Sequence, residues 1–357
     1  MKLGQLKYLV TENEYQAFLE SGVTKRYHPD SECYLRPNGN YNILYFDDGT
    51  KVRFGEFNTM EPDMPECIDV TITDVCNGGC EYCYLNCGIL GIEHDHADLT
   101  LASIMFDELP AYTELAMNIN DFSIDESHRF TDLLRDLKTN KQFVSLTVNQ
   151  KHLTKENLRK LVEWKDENLI RGIGISYISP DPELLEYVNM LNTCYGDCCV
   201  IHVIAGILTK EDYDFLSNNN LNLLVLGFKE IGKGESYKAT HPDLEEKINI
   251  LQMLISTDHS AKMGKFRSIA FDGLSIDQLH VKTWLGEEKF DQMYAGDEGS
   301  YTFYLDLVNQ QYAQSSITNK KFNITNWDNY LQCRNQLSIK EMFDSIRTPG
   351  LSNKKEE

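Results

Sequence analysis

Residues 67–88 read CIDVTITDVCNGGCEYCYLNCG, and the two halves of this stretch obey different rules. Ile68, Val70 and Ile72 make the first half a short apolar strand. The second half holds Cys76, Cys80, Cys83 and Cys87 within twelve residues, and Gly78 and Gly79 free the backbone to wrap between them. Cys76 therefore stands just past the C-terminal end of a strand, with Cys80 and Cys83 in the loop beyond it. Thiolates gathered on one loop suit an iron–sulfur cluster or zinc. Structural zinc sites place their two ligand pairs a dozen or more residues apart, so this spacing favours the cluster.

Downstream, short apolar strands alternate with amphipathic helices. Strands are expected at 68–72, 114–119, 143–148, 171–178, 199–207 and 222–228. Helical periodicity lies between them, around 99–109, 127–137, 154–165, 182–191 and 210–217, and Thr209 with Asp212 forms a capping box for the last. Strands separated by helices pair in parallel through right-handed crossovers. Their Val and Ile content, with little polar alternation, calls for burial on both faces, as in a barrel or a doubly wound sheet. Either arrangement puts chemistry at the C-terminal ends of the strands.

Upstream, Thr11 and Glu14 form a capping box that opens a short helix stopping near Gly22. Two or three antiparallel strands follow over 27–57, punctuated by Asn38-Gly39 and Asp48-Gly49, and the stretch 60–65 reads as a linker. Three regions result: a β-rich appendage over 1–64, an α/β core over 65–235 and an α+β extension over 236–357. The extension carries a helix near 242–255, a strand at 267–272 and a hairpin over 300–316. It closes with a helix capped by Ser338 and Glu341 that ends near Arg347, and then a frayed tail over 351–357.

Lys and Arg number 34 against 55 Asp and Glu, a net charge of −21 that repels a phosphate backbone and argues against general nucleic-acid binding. The longest apolar runs, 198–208 and 221–228, fall short of the roughly 20 residues that span a bilayer. The opening MKLGQLKYLVTENEY lacks an apolar core before a small-residue cleavage site, so a cytoplasmic location is expected. Ten cysteines in a reducing compartment point to metal ligation or catalysis where they cluster. The second group, Cys194, Cys198 and Cys199, reads as buried thiols, because the last two run into an apolar strand where neighbours face opposite ways; an auxiliary cluster is the alternative. His94, Asp95 and His96 read as a solvated acidic loop ahead of a metal site, and Asp272 and Gln278 are placed within reach of substrate.

The C-x3-C-x2-C spacing, with Tyr82 before the third cysteine and Ile72-Thr73-Asp74-Val75-Cys76-Asn77 leading into the first, resembles the radical SAM superfamily. Among its members the chain looks most like proteins, often phage-associated, with a β-rich N-terminal appendage. The resemblance covers roughly residues 65–234. It implies an α/β fold built on a partial (β/α)6 barrel of the TIM type, and a [4Fe-4S] cluster bound by Cys76, Cys80 and Cys83. The vacant iron chelates the amino and carboxylate groups of S-adenosylmethionine. Reductive cleavage of SAM then yields a 5′-deoxyadenosyl radical that abstracts hydrogen from substrate. Cys87 falls outside the family triad and reads as a packed thiol.

Further site residues come with the resemblance. Tyr82 matches the aromatic on the adenine, and Ser176 a strand-four serine close to the ribose. Thr147-Val148-Asn149 is similar to the third-strand Thr-Asn, which brings in Asn149. Phe228-Lys229 and Gly232-Lys233-Gly234 are similar to the sixth-strand end and its turn. The family's second strand commonly ends in Gly-Gly-Glu. Here stands Ala116-Met117-Asn118-Ile119-Asn120-Asp121, so Asn118, Asn120 and Asp121 become a variant clamp on SAM. His202, inside the fifth strand, faces either the lumen or the core. The implied partners are SAM, an electron donor such as flavodoxin or ferredoxin, and a substrate that is a peptide, protein side chain or small metabolite. Two alternatives remain: a nucleoside or nucleotide held by Lys229 and Lys233, and a non-catalytic zinc or iron–sulfur protein.

Overall fold

Local signals set most of the elements. In this computed structural model, which describes residues 1–347 apart from 48, 57, 58, 92, 295, 297 and 329–332 and gives 325–328 and 333–336 as backbone alone, all three expected capping boxes form. Glu14 N donates to Thr11 Oγ1 at 3.2 Å and Thr11 N to the Glu14 carboxylate at 2.8 Å, opening the helix Glu12–Glu20. The same reciprocal pattern starts the helices Lys210–Leu216 and Ile339–Arg347.

The N-terminal part builds an antiparallel sheet of β1 (Cys33–Asn38), β2 (Tyr41–Phe46) and β3 (Lys51–Phe54). Asn38 pairs with Tyr41, so the first hairpin loop is Gly39-Asn40, one residue later than the Asn38-Gly39 dipeptide suggests. Gly39 supplies the positive φ of +66°. Of the second turn, Asp48 lies outside the described residues, and Gly49 has φ +89°. Leu44, Phe46 and Phe54 pack with Leu6 and Phe18 on one side, while Tyr41, Ile43 and Tyr45 meet Tyr112, Phe143 and Tyr301 on the other. Buried polar contacts fasten this second face. Arg53 Nε and Nη2 donate to the two oxygens of Glu66 at 2.7 and 3.0 Å, and the Tyr41 hydroxyl donates to Glu66 at 2.6 Å.

The main sheet begins with six consecutive parallel strands: β4 (Cys67–Thr71), β5 (Glu114–Asn118), β6 (Phe143–Asn149), β7 (Gly172–Ser176), β8 (Cys199–Ile204) and β9 (Asn222–Leu226). Helices cover their connections, from Leu99–Phe106 to Lys210–Leu216. The C-terminal region continues this same sheet at both ends. β10 (Ser268–Phe271) lies parallel to β9, and β11 (Thr302–Asp306) lies parallel to β4, with β12 (Gln311–Ala313) and β13 (Phe322–Asn323) antiparallel beyond it. The expected hairpin over 300–316 is thus β11–β12, whose first strand seats itself against the cysteine-bearing strand. A separate ribbon, β14 (Thr325–Asp328) and β15 (Cys333–Gln336), precedes the last helix, whose Met342 and Phe343 enter the main core. The tail over 351–357 lies outside the described residues. Among those described, no helix is long and apolar enough to cross a membrane.

Candidate functional site

Beyond β4 the chain is held by its neighbours before it reaches the first cysteine. Asn118, at the end of β5, accepts from Ile72 N at 3.1 Å and donates to Thr73 O at 2.7 Å, and Thr73 Oγ1 accepts from Val75 N at 3.0 Å. Cys76 N donates to Gly88 O at 2.6 Å and Gly88 N to Asp74 O at 3.1 Å, closing the loop at its base. Inside it, Gly78 N donates to Cys76 Sγ at 3.3 Å, and His152 Nε2 lies 3.3 Å from the same sulfur. Asn149 Nδ2 points at Cys80 Sγ from 3.7 Å, and Lys151 Nζ donates to Gly78 O at 2.7 Å.

The turn after β9 pins the far side of the loop. Lys233 N donates to Cys83 O at 3.0 Å and its Nζ to Cys87 O at 3.1 Å. Gly232, at φ +57°, makes this approach possible: a Cβ there would come within 2.6 Å of Tyr84 O and 2.9 Å of Cys83 O.

The three thiols are electrostatically linked. Burial, and then the charges of Cys80 and Cys83, push the Cys76 thiol up; burial does the same to Cys80, against the pull of Lys151. A hydrogen bond from Cys87 draws Cys83 down to about 6 and pushes the buried Cys87 thiol far up. Among the described residues, no three His, Cys, Asp or Glu side chains converge on a single-ion site. His94 pairs with Asp74 at 3.0 Å, and His96 bonds Thr73 Oγ1 at 2.9 Å and lies 3.8 Å from Asp121.

Inside the sheet lies a cavity of about 360 Å³, lined from β4 to β9 and by β11. Tyr82, Asn118, Ser176 and His202 all line it. Tyr82 sits edge-on to Tyr237 at 5.6 Å, and Ser176 neighbours His202 across the β7–β8 pair. Burial pushes His202 down to about 4, so it is neutral at physiological pH. A Cβ at Gly174 would lie 2.4 Å from the His202 ring, so the glycine makes room for it.

The expected clamp does not converge. Asn118 lines the cavity with its amide engaged by backbone, whereas Asn120 and Asp121 line a separate cleft of about 670 Å³ with Lys151 and His152. Ile119 is fully buried, and beyond it the chain turns outward: Asn120 accepts from Asn149 N at 3.2 Å and Asp121 from Ser123 N at 2.9 Å. Asn149 stands at Cys80, near the cleft. The cysteine loop contributes Val75 and Asn77 to the cleft, and Tyr82 and Tyr84 to the cavity.

Other expected residues separate by role. Gln278 is engaged with Phe228 N and O at 2.8 and 3.0 Å. Asp272 lines the cavity while accepting from Gly227 N and Ser275 N at 2.9 and 2.7 Å. Lys229 also lines it, donating to Ser316 Oγ at 2.8 Å with its ammonium 3.9 Å from the centre of the Tyr84 ring. Lys233 faces the cysteine loop instead. Cys198 and Cys199 are both buried, yet their sulfurs are 3.9 Å apart because Cys198 precedes β8 and is not bound by strand alternation; Cys194 is exposed.

Sequence reasoning missed Asp69, Glu298 and Tyr304, which line the cavity too. Asp69 carried a signal, a carboxylate between Ile68 and Val70 in an apolar strand. Solvent reaches it through the cavity although protein encloses it, and burial raises its carboxyl to about 6 against the opposing charge of Lys229.

No family model and no curated protein matches the chain. Among solved structures it is similar to Streptococcus suis SuiB bound to precursor peptide SuiA, with a TM-score of 0.54 and 14% identity over 90% of this chain and 88% of that one. BtrN in complex with AdoMet and 2-DOIA matches at a TM-score of 0.30 and 14% identity over 47% of this chain and 72% of that one. The first likeness is one of fold, and it extends over nearly the whole length of both chains.

Proposed function

We propose that the chain is a radical SAM enzyme. In this reading Cys76, Cys80 and Cys83 hold a [4Fe-4S] cluster at the C-terminal mouth of a partial (β/α)6 barrel, and S-adenosylmethionine lies across that mouth. The observation that carries it is the C-x3-C-x2-C loop springing from the end of β4 beside a cavity lined by β4 through β9. In a flat sheet β4 and β9 would stand five spacings, about 24 Å, apart. Residues of both lining one cavity support a rolled sheet, and the fold likeness to SuiB supports the same architecture.

The residues present fit the cluster chemically: three thiols share one loop, and Lys151 and Lys233 oppose the burial that raises Cys76 and Cys80. A cluster bound there supplies the electron that cleaves SAM to a carbon radical able to take hydrogen from substrate. Tyr82 offers a ring to the adenine, and Ser176 a hydroxyl to the ribose. Neutral His202 offers a hydrogen bond without adding charge. Asn149 orients Cys80, and Asn118 holds the strand end from which the loop departs. Asn120 and Asp121 face the separate cleft beside the loop, so this reading gives them no contact with SAM. Tyr84, Tyr304 and Phe228 narrow the cavity.

An electron donor such as flavodoxin or ferredoxin completes the reaction, and reduced thiols suit the cytoplasm. A peptide or protein side chain as substrate is in keeping with the precursor peptide bound by SuiB. The nucleotide alternative draws little support, since Lys233 is engaged with the cysteine loop and Lys229 stands among carboxyls. The zinc alternative would draw on the same loop thiols, and the metal content of the purified chain separates the two.

Anaerobic purification, iron and sulfide reconstitution and reduction with SAM test this reading. Iron and 5′-deoxyadenosine are expected in the wild type and in Cys87→Ala, and both are expected to disappear with alanine at 76, 80 or 83. Zinc without iron or sulfide in the anaerobically purified chain overturns it.

A further inference from the structure

The groups facing the cavity do not balance in charge. Its ionisable side chains are Asp69, Asp272, Glu298 and Lys229, together with Tyr82, Tyr84, Tyr304 and His202. Burial holds the three tyrosines and the histidine in their neutral forms. Three carboxyls thus face one ammonium. Asp272 is committed to the backbone of Gly227 and Ser275, and Lys229 directs its ammonium to Ser316 and the Tyr84 ring, with no ion pair to a carboxylate among the described residues. Two carboxyls remain, and among the described residues no hydrogen bond or ion pair reaches Asp69 or the Glu298 side chain.

Asp69 opens onto the cavity, where solvent reaches it, and among the described residues its carboxyl has no hydrogen-bond donor of the protein to satisfy it, so its donors must come from water or from a ligand. Asp69 also lies below the mouth. It precedes Thr71, the last residue of β4, by two positions, about 7 Å of strand, and Cys76 by seven positions. That depth sets it beneath SAM, toward whatever occupies the rest of the cavity.

We infer that Asp69, with Glu298 on the same cavity, recognises a cationic group of the substrate, an ammonium or guanidinium carried on an organic chain. Such a group supplies the missing positive charge and the donors that both carboxyls lack. A phosphate or carboxylate would meet two unmatched negative charges in a confined space. The raised carboxyl of Asp69 agrees with this: the empty cavity penalises its charge, and a cationic ligand would relieve the penalty. The inference rests on the reading that the cavity is the substrate site of the proposed enzyme.

Binding of four short probes decides it: pentylammonium, pentylguanidinium, uncharged 1-pentanol and anionic pentanoate, titrated into the reconstituted full chain by NMR, with and without saturating SAM. At least one cation is expected to bind about tenfold tighter than 1-pentanol, with pentanoate weakest, whether or not SAM is present. The ammonium and guanidinium arms tell which cation the site prefers. Asp69→Asn is expected to erase the preference for charge while the fold, followed by circular dichroism, is retained. Equal binding of charged and uncharged probes, including no binding by any, overturns the inference. So does a preference that vanishes once SAM is added, which would assign the carboxyls to SAM, or one that survives in Asp69→Asn. Formation of 5′-deoxyadenosine by the wild type, measured without probe, separates the two readings: its absence beside an intact preference removes the enzyme and leaves the cation site standing.

Discussion

At position 69 a strand otherwise made of Cys, Ile, Val and Thr turns a carboxyl into a protein-walled cavity that solvent reaches, and stability should register it modestly. Its pKa is about 6 in the folded chain against 3.8 ordinarily, so folding disfavours the ionised form. The penalty is fully present above pH 6 and fades as the pH falls through 6 toward 4, where the unfolded chain also takes up the proton. Asp69→Asn is therefore expected to raise Tm at pH 7.5, and the difference from wild type should shrink steadily in melts run down to pH 4.5. The same scale shows what single residues disclosed in advance. The cysteine loop was legible because four thiols and two glycines within twelve residues, just past a strand end, form a local pattern. The separate fates of Asn118, Asn120 and Asp121 were not, because a turn between neighbours sends side chains to different compartments without changing the motif.

Elements were legible where their causes are local. Thr11, Thr209 and Ser338 cap the helices their sequences announce, and the six strands fall close to the expected spans, because reciprocal side-chain bonds and apolar periodicity act within a few residues. Cys198 shows the limit: both thiols are buried as expected, but Cys198 stands one residue before β8, outside strand alternation, so its sulfur lies beside that of Cys199 and not on the opposite face. Two contacts between elements yield predictions. Gly232→Ala forces the turn after β9 off the backbone of Cys83 and Tyr84, so iron content after reconstitution should fall well below wild type while far-ultraviolet circular dichroism is preserved. Arg53→Ala leaves the Glu66 carboxylate, 2% exposed, without its bidentate partner; urea denaturation should show a loss of about 3 kcal/mol, the usual cost of breaking a buried pair.

At the scale of the molecule the sheet is completed by strands remote in the sequence. β4 lies between β5 and β11, and Thr71 pairs with Asp306 across more than two hundred residues. Nothing in the local pattern of 302–306 distinguishes a hairpin strand on its own from one that docks beside the cysteine strand; long-range pairing depends on the assembled core, and sequence periodicity does not report it. A chain ending at residue 299 leaves β4 with a bare edge and removes Tyr304 from the cavity. It is expected to aggregate on expression and, where recovered, to take up less iron than the full chain, as gel filtration and iron assay would show.

The position of β11 also fixes an order of events during biosynthesis. A ribosome delivers the thiol-bearing segment early and the strand that shields it very late, so the nascent polypeptide emerges with its sulfurs exposed and their surroundings unfinished. Under the proposed reading, delivery of iron would be a step for the released chain and not for the growing one, and oxidants met in that interval would reach the loop thiols before their cover is complete.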